Sequence, residues 1–559
     1  MTLAPPRTGA RALVDTLLVH GVERAFCVPG ESYLAVLDAL YDSRDAIDLV
    51  VCRQEGGAAY MAEAHGKLAG LPGICFVTRG PGAANASIGV HVARQDSTPM
   101  ILFVGLPARR TAGREAFQEF DLARVFGAWA KDAFVVDAAD RMPELVARAF
   151  HRATAGRPGP IVVGLPEDVL VEPTDAPDTG AYTRVEAAPG ADALARLRAL
   201  LAAARRPLMI LGGGGWSAAA RQDVEAFAEA NRLPVAAAFR RQDYIDNDHA
   251  NYVGDLGIGP NPALAAAVRD TDLILALGTR LGEIATSDYT LLTPPEPAQT
   301  LIHVHADPDE LGRVYRPALA VPAASTPAAA GLRALEPIPD PPWASHTAAL
   351  RAAYEAWRRP EPMPGPVQLG EIVAWLAERL PGDAIVTNGA GNYAGWIGRH
   401  FVFHGWRGQL GPTAGAMGYG VPAAVAAKRA HPDRIVVSVN GDGCFLMNGQ
   451  ELSTAARYGL DVVFLVVDNA MYGTIRMHQE KTYPARVWGT DLVNPDFVAL
   501  ARAHGCHAER VETTDAFAPA FERALAAGGP ALIHLPIDPD AISHRTTLAA
   551  LRGAAAGHP

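Results

Sequence analysis

Two short apolar runs, each ending in a polar turn, constrain the fold of this chain most strongly. Arg434–Val439 and Val462–Val467 are rich in valine, and Met447–Tyr458 between them has the apolar spacing of a helix. Strand, helix and strand of these lengths predict two parallel strands joined by a right-handed crossover. Asp442 and Asn469 would then follow the carboxyl ends of neighbouring strands, where open α/β sheets bind ligands. A carboxylate and an amide carbonyl suit Mg²⁺, so the pair predicts a metal site, with two ordinary polar turns as the alternative.

The same strand–loop–helix pattern recurs along all 559 residues, a length that suits about three domains. It predicts an α/β fold of three doubly wound parallel sheets. Connectors rich in proline separate a first domain at 1–174, a central domain at 190–335 and a third domain at 363–545. The first and third domains share a layout, as in a duplicated fold. The tail from Thr546 is rich in alanine and glycine, and we expect it to be loosely held.

Composition argues against several classes of function. The net charge is −11 and basic residues form no blocks, which disfavours nucleic acid or an anionic membrane as a partner. The five cysteines show no paired spacing, so neither a disulfide framework nor a zinc site is expected. No apolar run reaches the length that spans a bilayer, and residues 1–17 lack the pattern of a signal peptide. We therefore expect a cytoplasmic protein.

Glu55 is the second candidate for chemistry. It follows the apolar run Ile47–Cys52 and opens a predicted helix whose first residues are small. Small residues there allow close approach by a ligand or another chain, whereas the simpler explanation is an acid that complements the helix dipole. The stretch Gln409–Ala424, which reads QLGPTAGAMGYGVPAA, is a third candidate, with an apolar turn before a helix as its structural alternative.

These stretches resemble motifs of the thiamine diphosphate (ThDP) enzymes. Residues 440–445 (NGDGCF) followed by residues 468–469 (DN) resemble the GDG…NN metal motif, with an Asp in place of the first Asn. Residues 53–63 (RQEGGAAYMAE) resemble the RHExxAxxMAxG stretch of the activating glutamate, with Gln in place of the His. Residues 409–424 resemble the GAMGxGxPAA stretch. Similar segments cover nearly the whole chain, and the nearest family is the acetolactate synthase large subunit.

The resemblance implies a role for each matched residue. Asp442, Asn469 and the carbonyl of Met471 would bind Mg²⁺ and, through it, the diphosphate. Glu55 would hydrogen-bond N1′ of the aminopyrimidine ring, and Met417 would support the bent cofactor. The remaining residues that the resemblance assigns to cofactor binding lie in loops of the third domain: Gly391, Asn392, Tyr393, Gly415, Ala416, Gly441, Gly443, Cys444, Tyr472 and Gly473.

The likeness to the synthases adds three candidates for substrate contact: Gln118, Lys131 and Arg280. Solvated loop residues are the alternative for the first two, and a salt-bridged strand-end arginine is the alternative for the third. Two positions depart from the synthase pattern. Arg79 replaces a Ser before GPG, and His478 stands where biosynthetic synthases have a Trp that shapes the acceptor pocket.

Cofactors and partners follow from the same resemblance. ThDP and Mg²⁺ are implied, and the turns Gly212–Gly215 and Gly278–Arg280 are candidates for FAD, with ADP or no ligand as the alternatives. In the family, the two cofactor-binding domains meet across a dimer. Glu55 of one subunit would therefore serve Asp442 and Asn469 of another, which implies a homodimer or a homotetramer.

The function that the resemblance implies is ThDP- and Mg²⁺-dependent decarboxylation of a pyruvate-like 2-keto acid, with carboligation to a second carbonyl, as in acetolactate synthases. Two alternatives share the fold. One is a simple 2-keto acid decarboxylase, and the other is a lyase acting on 2-hydroxyacyl or oxalyl thioesters of coenzyme A. A non-catalytic nucleotide-binding protein is the alternative from another class.

Overall fold

The computed structural model describes residues 7–556 of the chain. Residues 1–6 of the predicted first domain and residues 557–559 of the tail lie outside the described residues. The chain divides into two compact units, one of residues up to 185 with 425–430 and one of residues 186–424 with 431 onward. Residues 7–556 contain no helix long and apolar enough to cross a bilayer.

The first unit contains a six-stranded parallel sheet and a short antiparallel pair. The strands are β1 (Arg7–Thr8), β2 (Arg24–Cys27), β3 (Asp48–Val51), β4 (Gly73–Thr78), β5 (Met100–Leu106), β6 (Asp132–Val135), β7 (Pro160–Pro166) and β8 (Pro173–Thr174). The helices are α1 (Gly9–Val19), α2 (Leu34–Asp42), α3 (Glu55–Ala69), α4 (Arg79–Asp96), α5 (Leu122–Phe126), α6 (Met142–Thr154) and α7 (Glu167–Val171). The sheet order is β3-β2-β4-β5-β7-β6, and β5 and β7 are buried along their whole length, as inner parallel strands are.

The second unit begins with the central parallel sheet, ordered β11-β10-β9-β12-β13-β14 by the strands given next. They are β9 (Pro207–Leu211), β10 (Val235–Ala238), β11 (Tyr252–Leu256), β12 (Leu273–Leu277), β13 (Thr300–His305) and β14 (Leu319–Pro322). The helices are α8 (Ala191–Ala203), α9 (Ala218–Asn231), α10 (Pro262–Asp270), α11 (Ser325–Arg333) and α12 (Ala344–Trp357).

The third parallel sheet completes the second unit. Its strands are β15 (Ile385–Asn388), β16 (Gln409–Leu410), β17 (Val436–Gly441), β18 (Val462–Asp468), β19 (His507–Arg510) and β20 (Ala531–Pro536), in the order β16-β15-β17-β18-β20-β19. The helices of this part of the chain are α13 (Leu369–Arg379), α14 (Ala394–His400), α15 (Gly420–Ala430), α16 (Asp442–Phe445), α17 (Leu452–Arg457), α18 (Gly473–Thr482), α19 (Phe497–Ala503), α20 (Phe517–Leu525) and α21 (Leu548–Ala556). Residues 425–430 of α15 group with the first unit.

The predicted class, three doubly wound parallel sheets, is confirmed, and the strands of each six-stranded sheet fall inside one of the three predicted ranges. The first and third sheets have the same strand order, which agrees with the likeness of layout seen in the sequence. The central sheet has the 3-2-1-4-5-6 order of dinucleotide-binding folds. The order reverses direction between β2 and β4 in the first sheet, between β9 and β12 in the central sheet and between β15 and β17 in the third. In such sheets ligands bind at the carboxyl ends of the two strands that flank a reversal of this kind.

Two local expectations are wrong. The helix predicted over Met447–Tyr458 is shorter, because a 3-10 turn at Gly449–Glu451 precedes α17. The tail is not loosely held over α21, since Arg552 Nη2 lies 2.8 Å from Glu480 Oε1. Glu480 is buried, so this ion pair fastens the tail helix to α18.

Candidate active site

The two strand ends singled out by the sequence lie side by side in the third sheet. β17 and β18 pair in parallel up to Gly441 opposite Val467. β17 extends past the predicted end at Val439, so α16 begins at Asp442 without an intervening turn. Asp442 and Asp468 therefore stand next to each other at the carboxyl edge of the sheet.

Asp442 is a buried acid held by two donors. The Gly443 amide donates to Oδ1 at 2.9 Å, and Asn494 Nδ2 donates to Oδ2 at 2.8 Å. Burial raises the pKa of the Asp442 carboxyl against these two hydrogen bonds, and the neighbouring Asp468 adds to the rise. A cation bound here would offset both effects, because an opposite charge favours the ionised carboxylate.

Asp468, which stands where the family motif has an Asn, is fully engaged within the chain. Its Oδ1 accepts from the Ala470 amide at 2.9 Å and from Asn494 Nδ2 at 2.8 Å, and its Oδ2 lies 2.9 Å from His534 Nε2. Burial opposes its ionisation, but the bonds from His534 and the Ala470 amide outweigh that effect and lower the pKa of Asp468. A histidine on the neighbouring strand β20 thus accommodates the extra acid.

Backbone pairing leaves the carbonyl of Met471 available. Met471 forms an isolated antiparallel bridge with Asp491. The bridging hydrogen bonds run from the Tyr472 amide to the Thr490 carbonyl and from the Leu492 amide to the Ala470 carbonyl, both at 2.9 Å. In such a pair the central residue keeps its own carbonyl outside the bridge. This geometry suits the metal-ligand role that the resemblance implies for Met471.

Tyr393 and Cys444 join the loops that follow β15 and β17. The Tyr393 hydroxyl donates to Cys444 Sγ at 3.3 Å, and the Gly418 amide donates to the same sulfur at 3.2 Å. Asn392 is also committed within the chain, since its Nδ2 donates to the Ile542 carbonyl at 2.9 Å and its Oδ1 accepts from Thr474 at 3.0 Å. The side chains of Asn392 and Tyr393 therefore shape the site, and only their backbone is left for a diphosphate.

A cavity of about 790 Å³ opens at this edge of the third sheet. Ala416 and Arg280 are both described by the structure but are not among its lining residues. The structure brings together on its wall most of the third-domain residues that the sequence singles out: Gly391, Asn392, Tyr393, Gly415, Met417, Gly441, Asp442, Gly443, Cys444, Asn469, Met471, Tyr472 and Gly473.

Sequence reasoning missed the central-domain side of this cavity, which includes Arg240, Asp255 and Trp357. The buried Arg240 donates from Nη2 to the Gly389 carbonyl at 2.7 Å and from Nη1 to the Pro412 carbonyl, so it clamps two loops of the third domain. Burial raises the pKa of Asp255 to about 7. Arg240 follows the apolar strand β10, Asp255 lies within β11 and Trp357 ends α12, positions that many residues share and that gave no local signal.

In the first unit, Glu55 opens α3 at the carboxyl end of β3. The Gln54 side chain caps this helix by accepting from the Gly57 amide at 3.0 Å. Asn85 Nδ2 donates to Glu55 Oε2 at 2.9 Å, and a side chain at Gly82 would come only 3.5 Å from Oε1. Glu55 is thus held by one oxygen, with a glycine beside the other.

The other predicted substrate residues have different surroundings. The backbone carbonyl of Gln118 accepts from the Gly80 amide at 3.0 Å, which puts Gln118 beside the first turn of α4. Lys131 Nζ donates to the carbonyl of Arg157 at 2.9 Å and to that of Ala155, so its ammonium already holds a loop of the first unit. All three roles proposed for Gln118, Lys131 and Arg280 stay predictions.

The two departures from the synthase pattern also have a structural setting. Arg79 lies at the start of α4, where Nη1 pairs with Glu31 at 2.8 Å and Nη2 pairs with Glu167 at 2.9 Å. Its guanidinium therefore ties together three strand ends of the first sheet. His478 is exposed on α18 and lines the third-sheet cavity.

Comparison with known proteins decides the family. Three domain models of the thiamine pyrophosphate enzymes match in order: the N-terminal domain at 7–125, the central domain at 194–334 and the C-terminal domain at 389–535. The acetolactate synthase isozyme 2 large subunit of Escherichia coli K12 is 32% identical over 95% of both chains. This chain belongs to the thiamine pyrophosphate enzyme family. The acetolactate synthase large subunit of Parasynechococcus marenigrum (33% identical, 95% of this chain and 87% of that one) and the probable one of Methanocaldococcus jannaschii (31%, 95% and 92%) are also similar to it.

The third-sheet site fits the family's cofactor, thiamine pyrophosphate (ThDP), with a divalent cation. Side chains added at Gly441 and at Gly443 would approach the rings of Tyr393 and Tyr472 to 2.8 Å, so glycine at both positions lets these rings pack close to the strand end. Residues 7–556 contain no group of three or more His, Cys, Asp or Glu side chains able to hold a metal. The available donors are one carboxylate, one amide oxygen and one backbone carbonyl, which suits Mg²⁺ shared with phosphate oxygens.

The central glycine turns, which the sequence offers as candidates for FAD, pack against each other. A side chain at Gly213 would lie 1.9 Å from the carbonyl of Gly278, and both residues have positive φ, +76° and +73°. The carbonyl of Gly213 also accepts from Arg241 Nε at 3.0 Å and from the Tyr244 hydroxyl at 2.8 Å. Packing of the two turns against each other explains the glycines, so the run gives no support for FAD.

Proposed function

We propose that this enzyme uses ThDP and Mg²⁺ to decarboxylate a pyruvate-like 2-keto acid and to join the remaining acyl unit to a second carbonyl. The product would be an acetohydroxy acid such as acetolactate. One observation carries the proposal: Asp442, Asn469 and Met471, from two adjacent strand ends, share the wall of one cavity. The acetolactate synthase large subunits matched across 95% of this chain support the same reaction class.

The metal would be held by the Asp442 carboxylate, the Asn469 amide oxygen and the Met471 carbonyl. Mg²⁺ prefers hard oxygen ligands and keeps positions for phosphate oxygens, so these groups would also fix the diphosphate. Bound ThDP would supply the carbanion centre and the electron sink that decarboxylation of a 2-keto acid requires. Met417, which lines the cavity and packs on the third-domain core, would orient the two cofactor rings.

Glu55 would hold a proton against the ring nitrogen N1′. The bond from Asn85 to Oε2 fixes the direction of the carboxylate, and Gly82 leaves room beside Oε1. In the proposed assembly, Glu55 of one subunit serves the Asp442 site of another, so the active form is a homodimer or a homotetramer. Among the candidates for substrate contact, Gln118 is better placed than Lys131, whose ammonium already donates to two carbonyls.

Product analysis tests this proposal. Purified enzyme with ThDP and Mg²⁺ is incubated with pyruvate alone, and then with pyruvate and an added aldehyde or second 2-keto acid. We expect acetolactate from pyruvate alone and a mixed ligation product with the acceptor. Free acetaldehyde without any ligated product would instead identify a simple decarboxylase. Turnover that requires a coenzyme A thioester would identify the lyase.

The role of Glu55 is tested by Glu55→Gln, which keeps the shape of the side chain but removes its ionisable proton. We expect turnover to fall by about 100-fold or more, the usual range for losing a proton-transfer group, while ThDP still binds. Glu23→Gln, at an exposed acid of the same unit, is the control and should keep full activity. Near-normal turnover of Glu55→Gln would contradict the assigned role.

A further inference from the structure

A single side-chain amide lies between the two acids at the third-sheet strand ends. Asn494 Nδ2 is 2.8 Å from Asp442 Oδ2 and 2.8 Å from Asp468 Oδ1. Asn494 is far from both acids in sequence, and it belongs to neither strand nor helix. Its amide can only donate at this nitrogen, which matches two carboxylate acceptors.

The chain on both sides of Asn494 is fixed. Before it, the bridge between Met471 and Asp491 fastens the segment to the loop that carries the proposed ligand carbonyl. After it, Asp496 caps α19 by accepting from the amides of Val498 and Ala499 at 2.9 and 3.0 Å. Asn494 is therefore presented to the acids by two anchored points within a few residues.

Asp468 acts as the inner support of this arrangement. Both its oxygens are occupied, by Asn494 and the Ala470 amide on one side and by His534 on the other. His534 is buried on β20, with the ring of Phe497 packed edge-on at 5.2 Å between centroids. An anchored Asp468 holds the Asn494 nitrogen in place, and that nitrogen in turn restrains Asp442.

Two neighbouring carboxylates repel each other, and a shared donor offsets part of that repulsion. Without Asn494, Asp442 would keep only the Gly443 amide as a donor and would be free to turn away from its neighbour. Partners that hydrogen-bond a metal ligand fix its orientation, and removing one typically weakens metal affinity by about 10–100-fold.

We propose that Asn494 is a positioning residue of the metal site, which holds Asp442 in its ligating orientation against the Asp468–His534 pair. The inference rests on the proposed Mg²⁺ role of Asp442. It assigns a function to a residue outside the GDG…NN motif, and it gives the Asp in place of the motif's first Asn a purpose as an acceptor rather than as a ligand.

Mg²⁺ titration of ThDP binding, followed by quenching of tryptophan fluorescence without substrate, tests the proposal. Asn494→Ala removes the amide, and Asn494→Leu removes it while keeping the bulk. In both variants we expect the Mg²⁺ concentration for half-saturation to rise by about 10–100-fold. At saturating Mg²⁺, kcat should recover to within about threefold of the wild type, because the bridge touches no reacting atom.

Ser217→Ala is the matched control, since it removes the side-chain cap of α9 in the same unit but leaves the Asn494 segment and its bridge intact. We expect a lower melting temperature and an unchanged Mg²⁺ half-saturation. The proposal is overturned if both Asn494 variants titrate like the wild type, or if Ser217→Ala shifts the titration as far as they do. If the wild type itself binds ThDP without any need for a divalent cation, the proposed metal site fails, and this inference fails with it.

Discussion

The central and third sheets of the second unit both have glycine-containing strand ends at the point where their strand order reverses, but the surroundings of these strand ends differ. In the central sheet the reversal lies between β9 and β12, which end in Gly212–Gly215 and Gly278–Arg280. In the third sheet it lies between β15 and β17, which end in the Gly389–Tyr393 loop and Asp442. Both are positions where open α/β sheets bind ligands.

At the central crevice the two strand-end turns pack against each other. Gly213 packs directly against the Gly278 carbonyl, and Trp216 donates from its indole nitrogen to the Gly212 carbonyl at 2.8 Å. The third-sheet crevice contains a cavity of about 790 Å³, with the Asp442 carboxylate and the Asn469 amide on its wall. Topology thus decides where a site can form, and the residues at the strand ends decide how much space is left there.

The prediction with the largest expected effect removes Asp442, the strand-end acid of the third sheet. Asp442→Ala should weaken Mg²⁺-dependent ThDP binding on the order of 100-fold or more, because a proposed direct ligand is lost and such losses exceed those of supporting residues. Isothermal titration measures it. Asp307→Ala, at a strand-end acid after β13 of the central sheet, is the control and should leave ThDP binding unchanged. Equal losses in both variants would refute the contrast.

The next test probes how tightly the two turns of the central sheet pack. In Gly213→Ala the new methyl would lie 1.9 Å from the Gly278 carbonyl, at a φ of +76°. Overpacking and strain together should cost about 3 kcal/mol of stability. Chemical denaturation measures the loss. Gly282→Ala, with no atom within 4 Å of the added carbon, should be nearly neutral. Should Gly213→Ala prove equally neutral, the two turns are not packed as tightly as the contrast requires.

The residues of the candidate site differ in how far the sequence alone could predict them. Asp442, Asn469 and Glu55 could be found from the sequence, because each directly follows an apolar run that encodes its own strand. Arg240 and Asp255 could not, since they reach the third-domain cavity from the central domain and carry no local mark. The three-sheet fold follows from the repeated strand–helix pattern, whereas the strand orders depend on packing between segments far apart in the chain.

A smaller effect concerns pH and the central sheet. Burial lowers the pKa of His303 to about 4, although the Thr279 carbonyl, 2.9 Å from Nε2, favours the charged ring. In the unfolded chain the pKa is about 6.5, so below that pH the unfolded state binds more protons and stability falls until about pH 4. We expect His303→Gln to lessen the loss between pH 7 and 5 by about 1–2 kcal/mol, measured as the change in stability with pH. His151→Gln, at an exposed histidine, should keep the wild-type slope, and an unchanged slope in His303→Gln would contradict the assignment.

The smallest expected effect is an absence of change. Arg241, Tyr244 and Trp216 already donate to the carbonyls of the glycine turn in the central sheet, so the turn is held by the chain itself without FAD. Purified enzyme should show no flavin absorbance, and added FAD should not raise its Tm, whereas ThDP with Mg²⁺ should raise it by linkage. A yellow protein, or a rise in Tm with FAD, would mean that these three side chains move aside for a ligand. The central crevice would then be a second ligand site. The two sheets would differ in whether a ligand is bound rather than in how their strand ends pack.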